Sequence, residues 1–287
     1  MTAAGRPAAT PVLETRGLSK SFGGVDAVID VGISVPEHQV RALIGPNGAG
    51  KSTFTGLIVG RFEPTRGSVR FDGRDITALA AHERIRLGIA YTFQITSVFA
   101  ELDVRENVAL AVRRAVVGLN LGRRARPRQV RQRVDEVLER VGLQARAATL
   151  AGDLAYGHQR LLEIAMGLAQ APRLFIMDEP TQGLAADEIE RFVALVRELS
   201  ASTTILLIEH NMPVVMRCAD RISVLETGRL LAEGTPDEIR ANEAVQSAYL
   251  GREVAGDGPD IDPDIDPDAS PDASPDAGPD AGPGGMP

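Results

Sequence analysis

The chain has 287 residues, 44% hydrophobic and 24% charged, enough to bury a substantial core in one or two domains. It has no run of about 18 uninterrupted apolar residues, which excludes a self-contained membrane span, and its small, polar first ten residues argue against a secretory leader. The net charge of -8 is concentrated in residues 255–287, which hold nine Asp and no basic residue; the remainder stands at +1, so neither wholesale nucleic-acid binding nor an acidic surface follows.

In chain order, short strand-like runs fill Leu13 to Ile44, broken by Gly23-Gly24 and by Pro36. Val40 to Ile44 is a compact apolar strand, apart from Arg41, and it leads straight into Gly45. Thr53 to Gly60 reads as helix, and Ser68 to Asp72 as a strand closed by the turn pair Asp72-Gly73. From about Val104 to Ala169 the pattern turns helical, an insertion rich in Ala, Leu, Val and Arg. Strands return at Leu174–Met177 and Thr203–Ile208; strands alternating with helices predict a parallel α/β sheet. Thr235-Pro236-Asp237-Glu238 is a helix start with Thr as N-cap, Pro at the first helical position and Glu three residues after the cap. Beyond Ala255, repeated Pro-Asp-Ala and Pro-Asp-Ile units predict a disordered acidic tail. The single cysteine, Cys218, precludes an internal disulfide and fits a reducing compartment, with the cytosol as default.

Gly45-Pro46-Asn47-Gly48-Ala49-Gly50-Lys51-Ser52 matches G-x-x-x-x-G-K-[ST] between a strand and a helix. Glycines let backbone N–H groups curl around phosphate oxygens, and the helix N-terminus adds its positive end. Lys51 is placed to reach the β- and γ-phosphates, and the Ser52 hydroxyl to bind Mg²⁺. Lys20 and Lys51 are the only lysines among 31 basic residues, so a lysine at this position is not a matter of background frequency. Gly45 through Thr53 are therefore the candidate ATP-binding residues.

The apolar run Leu174–Met177 ends in Asp178-Glu179-Pro180. Asp178 can serve the Mg²⁺ shell, and Glu179 can polarise an attacking water as general base. With the preceding Leu154-Ala155-Tyr156-Gly157-His158-Gln159-Arg160, this pattern resembles ATP-binding cassette (ABC) ATPases over roughly residues 12–251. The resemblance implies a P-loop NTPase (RecA-like) α/β core at 11–93 and 166–235, which includes an antiparallel β subdomain. It also implies an α-helical subdomain at 94–165 and a helical segment at 236–254, between a flexible start at 1–10 and the tail at 255–287. It further implies that Gln94 is the glutamine that touches the metal and relays to the transport subunit. By the same likeness His210 contacts the γ-phosphate, Phe22 stacks on adenine, and Ala155, Tyr156, Gly157 and His158 cap the ATP of an opposing cassette. His38 and His82 lack such context and are expected at the surface.

Two departures stand out. The signature segment usually reads Leu-Ser-Gly-Gly-Gln, but here Ala155, Tyr156 and His158 replace Ser, the first Gly and Gln. Ala185 stands where many relatives place Asp. Ala155 and Tyr156, Thr92-Phe93-Gln94, Leu162-Glu163-Ile164-Ala165 and the ending Gly234-Thr235-Pro236 with Ala248-Tyr249-Leu250-Gly251 resemble the larger ATP-binding subunit of branched-chain amino acid importers. Urea/amide importers and a lipopolysaccharide-export ATPase look similar over the same ground; non-transport cassettes of DNA repair or translation usually carry coiled-coil or zinc insertions or a second cassette. The implied partners are a second cassette (self or paralogue), two transmembrane permeases and, indirectly, an extracytoplasmic binding protein, with no nucleic acid; the implied place is the cytoplasmic face of the membrane. Eight arginines between Arg113 and Arg133 suggest a solvated helix face, or one near anionic headgroups or an acidic permease surface.

Overall fold

The computed structural model describes residues 11–92, 97–119 and 127–250. Phe93, Gln94, the arginines Arg123, Arg124 and Arg126, the first ten residues and the acidic tail lie outside the described residues. No helix among the described residues is long and apolar enough to cross a membrane.

Two sheets enclose a helix. The first is antiparallel: β1 (Leu13–Phe22) pairs with β2 (Val25–Val31), β3 (Ser34–Val35) and β5 (Arg66–Phe71), and β5 with β6 (Arg74–Asp75). The β1–β2 hairpin closes through Gly23 and Gly24, whose φ values of 52° and 90° suit the two-residue turn that only glycine-like backbones adopt cheaply. The second sheet runs β11-β10-β4-β9-β8-β7, with β4 (Val40–Ile44), β7 (Ile89–Thr92), β8 (Leu174–Asp178), β9 (Thr204–Ile208) and β10 (Arg221–Glu226) parallel. Strand β11 (Arg229–Gly234) closes the edge antiparallel to β10.

Strands β4, β8 and β9 are buried along their whole length, so their sequences show no polar alternation. Their side chains still sort by period two. Leu174, Ile176, Leu206 and Ile208 face a core shared with Phe54, Leu57 and Ile58 of α1 (Lys51–Val59) and with Leu13 and Leu18 of the antiparallel sheet. Phe175, Met177, Ile205 and Leu207 face the other core, with α3 (Val104–Leu119), α4 (Pro127–Val141), α5 (Tyr156–Ala169) and α6 (Ala186–Ser200). A third, smaller core packs Ala42, Ile44 and Val224 against α7 (Met212–Cys218), α8 (Pro236–Arg240) and α9 (Glu243–Leu250). The short α2 (Ala81–Arg86) precedes β7, and its buried Arg84 donates to the Leu57 and Ile58 carbonyls at the end of α1, 2.7 and 2.8 Å away.

The helical insertion expected from Val104 to Ala169 is broken at 142–155, a stretch holding two single turns of 3₁₀ helix. Gly142 at φ 75° ends α4, with the Leu143 N–H returning to the Leu138 carbonyl at 2.9 Å, a left-handed helix stop that glycine favours. The first helix begins at Lys51, two residues before the expected Thr53, so Lys51 lies in its first turn. Elsewhere the helix start at Thr235 has the expected reciprocal cap: Glu238 N–H donates to Thr235 Oγ1 (3.3 Å) and Thr235 N–H to Glu238 Oε2 (2.7 Å). His38 and His82 are exposed, and so are Arg113, Arg114, Arg128 and Arg131 of the basic helical region.

Candidate nucleotide site

The parallel strands all end at one edge of the sheet, and each end carries a different chemical part. Strand β4 delivers the glycine loop, β9 delivers Glu209 and His210, and β8 delivers Asp178 and Glu179. Ile208 pairs with Leu43 on one side and with Asp178 on the other, so these ends lie level. Strand β7 ends level with them through Thr92 against Met177, just before the segment containing Gln94. Ligands of open α/β sheets bind at this carboxyl edge.

In the loop, Gly50 takes φ 93°, and a Cβ there would stand 2.3 Å from the Ala27 carbonyl oxygen, so glycine is required both by conformation and by space. The Ala49 carbonyl accepts from Gly228 N–H at 3.1 Å, which ties the loop to the β10–β11 turn. Lys51 is buried, and its ammonium donates to the Gly45 and Pro46 carbonyls at 2.7 and 3.1 Å, holding it inside the curve of the loop. Ser52 is exposed beside it. Phe22 lies at the end of β1, 41% exposed, with its ring edge-on to Phe62 at 5.3 Å and with Lys20 Nζ 4.9 Å from its centroid.

Asp178 is buried, and its Oδ2 accepts from the Tyr91 hydroxyl at 2.8 Å. Desolvation raises its pKa above the ordinary carboxylate value, against the downward pull of the Tyr91 hydrogen bond and of the Arg160 and Lys51 charges. The phenol of Tyr91 is in turn raised, first by burial and then by Asp178. Glu179 adopts φ 46°, a left-handed conformation uncommon outside glycine. Its N–H donates to the Ile208 carbonyl at 2.9 Å, and its Oε1 lies 3.5 Å from His210 Nδ1. His210 itself is well exposed.

Three further participants had no role assigned from the sequence. Glu209 is fully buried: its Oε1 accepts from the Thr181 N–H (3.1 Å) and hydroxyl, its Oε2 from the N–H groups of His210 (2.9 Å) and Asn211 (3.0 Å). Arg160 and Glu163, on α5, form a buried ion pair at 2.7 Å. In the sequence both stood only inside the segments quoted for the resemblance, without a role of their own.

The signature residues start α5. Ala155 is its N-cap with no side-chain cap, so the first turn presents backbone N–H groups at the positive end of the helix. Tyr156 is 45% exposed and lies against Gly183, where a Cβ would approach its ring to 2.4 Å. His158 Nε2 stands 3.8 Å from Glu188 Oε1, while Glu188 Oε2 accepts from the Ala185 N–H at 2.8 Å. Signature and Ala185 turn are thus in contact through Glu188.

Among the described residues, no group of three or more His, Cys, Asp or Glu is gathered to hold a metal. The hard oxygens of Ser52 and Asp178 suit Mg²⁺, an ion commonly held by one or two protein oxygens together with substrate phosphates.

Residues 28–182 match the family model described as ABC transporter, and residues 229–255 match that of the branched-chain amino acid ATP-binding cassette transporter. The chain is 41% identical over 250 residues to the high-affinity branched-chain amino acid transport ATP-binding protein BraF of Pseudomonas aeruginosa, spanning 84% of this chain and 98% of that one. It is 39% identical over 251 residues to LivG of Escherichia coli, described in the same terms, with the same coverage. Among solved structures, the ADP conformation of MJ1267, an ATP-binding cassette of an ABC transporter, superposes with a TM-score of 0.74 at 30% identity, covering 84% of this chain and 99% of that one.

Proposed function

The chain belongs to the ABC transporter family of ATP-binding cassettes, and from that premise we propose that it hydrolyses ATP to drive import of branched-chain or related amino acids through partner permeases. The observation that carries the ATPase reading is the level edge of β4, β9 and β8, which gathers Lys51, His210, Asp178 and Glu179. The match of residues 229–255 and the 41% identity to a branched-chain amino acid transport protein carry the choice of cargo.

In this reading Lys51 and the loop N–H groups hold the β- and γ-phosphates, and the ring of Phe22 takes the adenine. Ser52 and Asp178 hold Mg²⁺ together with Gln94; when bound, the ion offsets charge on the phosphoryl oxygens. Glu179 accepts a proton from the attacking water, and His210, 3.5 Å away, is placed to meet the γ-phosphate. Tyr156 to His158 close over the ATP of a second cassette, self or paralogue. The cleft of about 220 Å³ bordered by Tyr91, Thr92, Ser97 and Glu163, beside the segment of Gln94, receives the permease. The cassette then works at the cytoplasmic face of the membrane, and a binding protein outside supplies the amino acid.

Reconstitution of the chain with its permeases in proteoliposomes tests this. ATP hydrolysis should rise when binding protein loaded with leucine, isoleucine or valine is enclosed. The lipopolysaccharide-export ATP-binding protein of Acidithiobacillus ferridurans is 33% identical; no response to any amino acid, with a response to lipopolysaccharide, would move the assignment to export.

A further inference from the structure

We propose that Arg160 and Glu163 form a positioning pair that ties the orientation of the signature helix α5 to the backbone of Asp178 and Glu179. Arg160 is completely buried. Its Nη2 donates to the carbonyl of Asp178, at short range, and to that of Glu179 at 3.2 Å. Its Nη1 donates to Glu163 Oε2 at 2.7 Å, and Glu163 Oε1 accepts from the Ser97 N–H, just after the segment that contains Gln94. Four parts converge on one guanidinium–carboxylate unit: the signature helix, the backbone carbonyls of Asp178 and of Glu179, and the loop leaving β7.

The backbone at Glu179 needs such a clamp. Its φ of 46° is strained for a residue with a Cβ, and a strained turn persists only where its surroundings hold it. Arg160 grips the carbonyls on both sides of that Cα. Arginine suits the task because its planar fork donates in several fixed directions, which an ammonium cannot copy. Glu163 keeps the cation compensated where water does not reach; burial raises its carboxyl pKa while the Ser97 N–H and Arg160 pull it down. Because Arg160 sits one turn beyond Tyr156 and Gly157, movement of the signature helix shifts the peptide that aims Glu179. Engagement of a partner cassette would thereby set the base.

This inference rests on Glu179 being the general base, and the test separates the two. The replacement Arg160→Met with Glu163→Gln removes both charges and leaves an acceptor for Ser97 N–H. Since a buried ion pair can be exchanged for neutral groups without loss of fold, the variant should stay folded, with an unfolding midpoint lowered only by the carbonyl hydrogen bonds that Met cannot make. In the assembled transporter, KM for ATP should stay within about twofold while kcat falls about tenfold or more. Adding the same replacements to Glu179→Gln should cost less than about threefold further, because both act through one group. A full, additive loss would overturn the pair while leaving the base intact; an unchanged rate for Glu179→Gln would instead overturn the base. In the full chain alone, amide exchange at 178–181 should accelerate in the double variant with 45–52 unchanged, and equal exchange in both segments would contradict the clamp.

Discussion

His210 Nδ1 lies 3.5 Å from Glu179 Oε1, although the two residues leave different strands. The neighbour of His210, Glu209, explains how that distance is kept. Its buried carboxylate binds Thr181, two residues past Glu179, with one oxygen and the N–H groups of His210 and Asn211 with the other.

Glu209→Gln tests this bracket. The amide can accept on one side only and turns an NH₂ group towards N–H donors on the other. The variant should lose about 1–3 kcal/mol in denaturant unfolding, with a parallel fall in kcat. Stability equal to the parent would show that the carboxylate is not what joins the two turns.

The glycine loop offers a graded comparison. Gly48→Ala meets nothing within 4 Å and should cost about 1 kcal/mol, the strain of its φ of 75°. Gly50→Ala drives a Cβ to 2.3 Å from the Ala27 carbonyl oxygen and should cost about 3 kcal/mol or more, read as a lower melting temperature. Equal costs would mean that the loop moves freely against β2.

Cys218 supplies a pH test. Burial pushes its thiol from the ordinary 9.0 up to about 11. The folded chain thus holds the proton more tightly than the unfolded chain, so the stability tied to this group is complete below about pH 9 and is lost as pH rises towards about 11. Relative to Cys218→Ala, the parent should lose up to roughly 2 kcal/mol across that window. Identical pH slopes would place the thiol in contact with water.

Much of this was legible in the sequence because it was local. The run Gly45–Ser52, the apolar strands β4, β8 and β9, and the Thr235 cap each announce themselves within a few residues, and the resemblance supplied the antiparallel sheet. What stayed hidden was made by contacts far apart in the chain. Tyr91 meets Asp178 across 87 positions, Glu209 meets Thr181 across 28, and Arg160 meets Asp178 across 18. A buried Arg or Glu reads as a solvated helix residue until packing shows what surrounds it. The break at Gly142 was missed for a related reason: one glycine among helix formers weighs little in a periodic pattern, yet its left-handed φ ends the helix.

ATP turnover by Glu179→Gln, measured beside the ATP affinity of the same protein, tests the general base most directly. With Glu179 as the general base, kcat should fall about 100-fold or more while the Kd for ATP stays within about twofold of the parent. A variant that hydrolyses ATP within about threefold of the parent rate would contradict it, and Glu179 would not be the base.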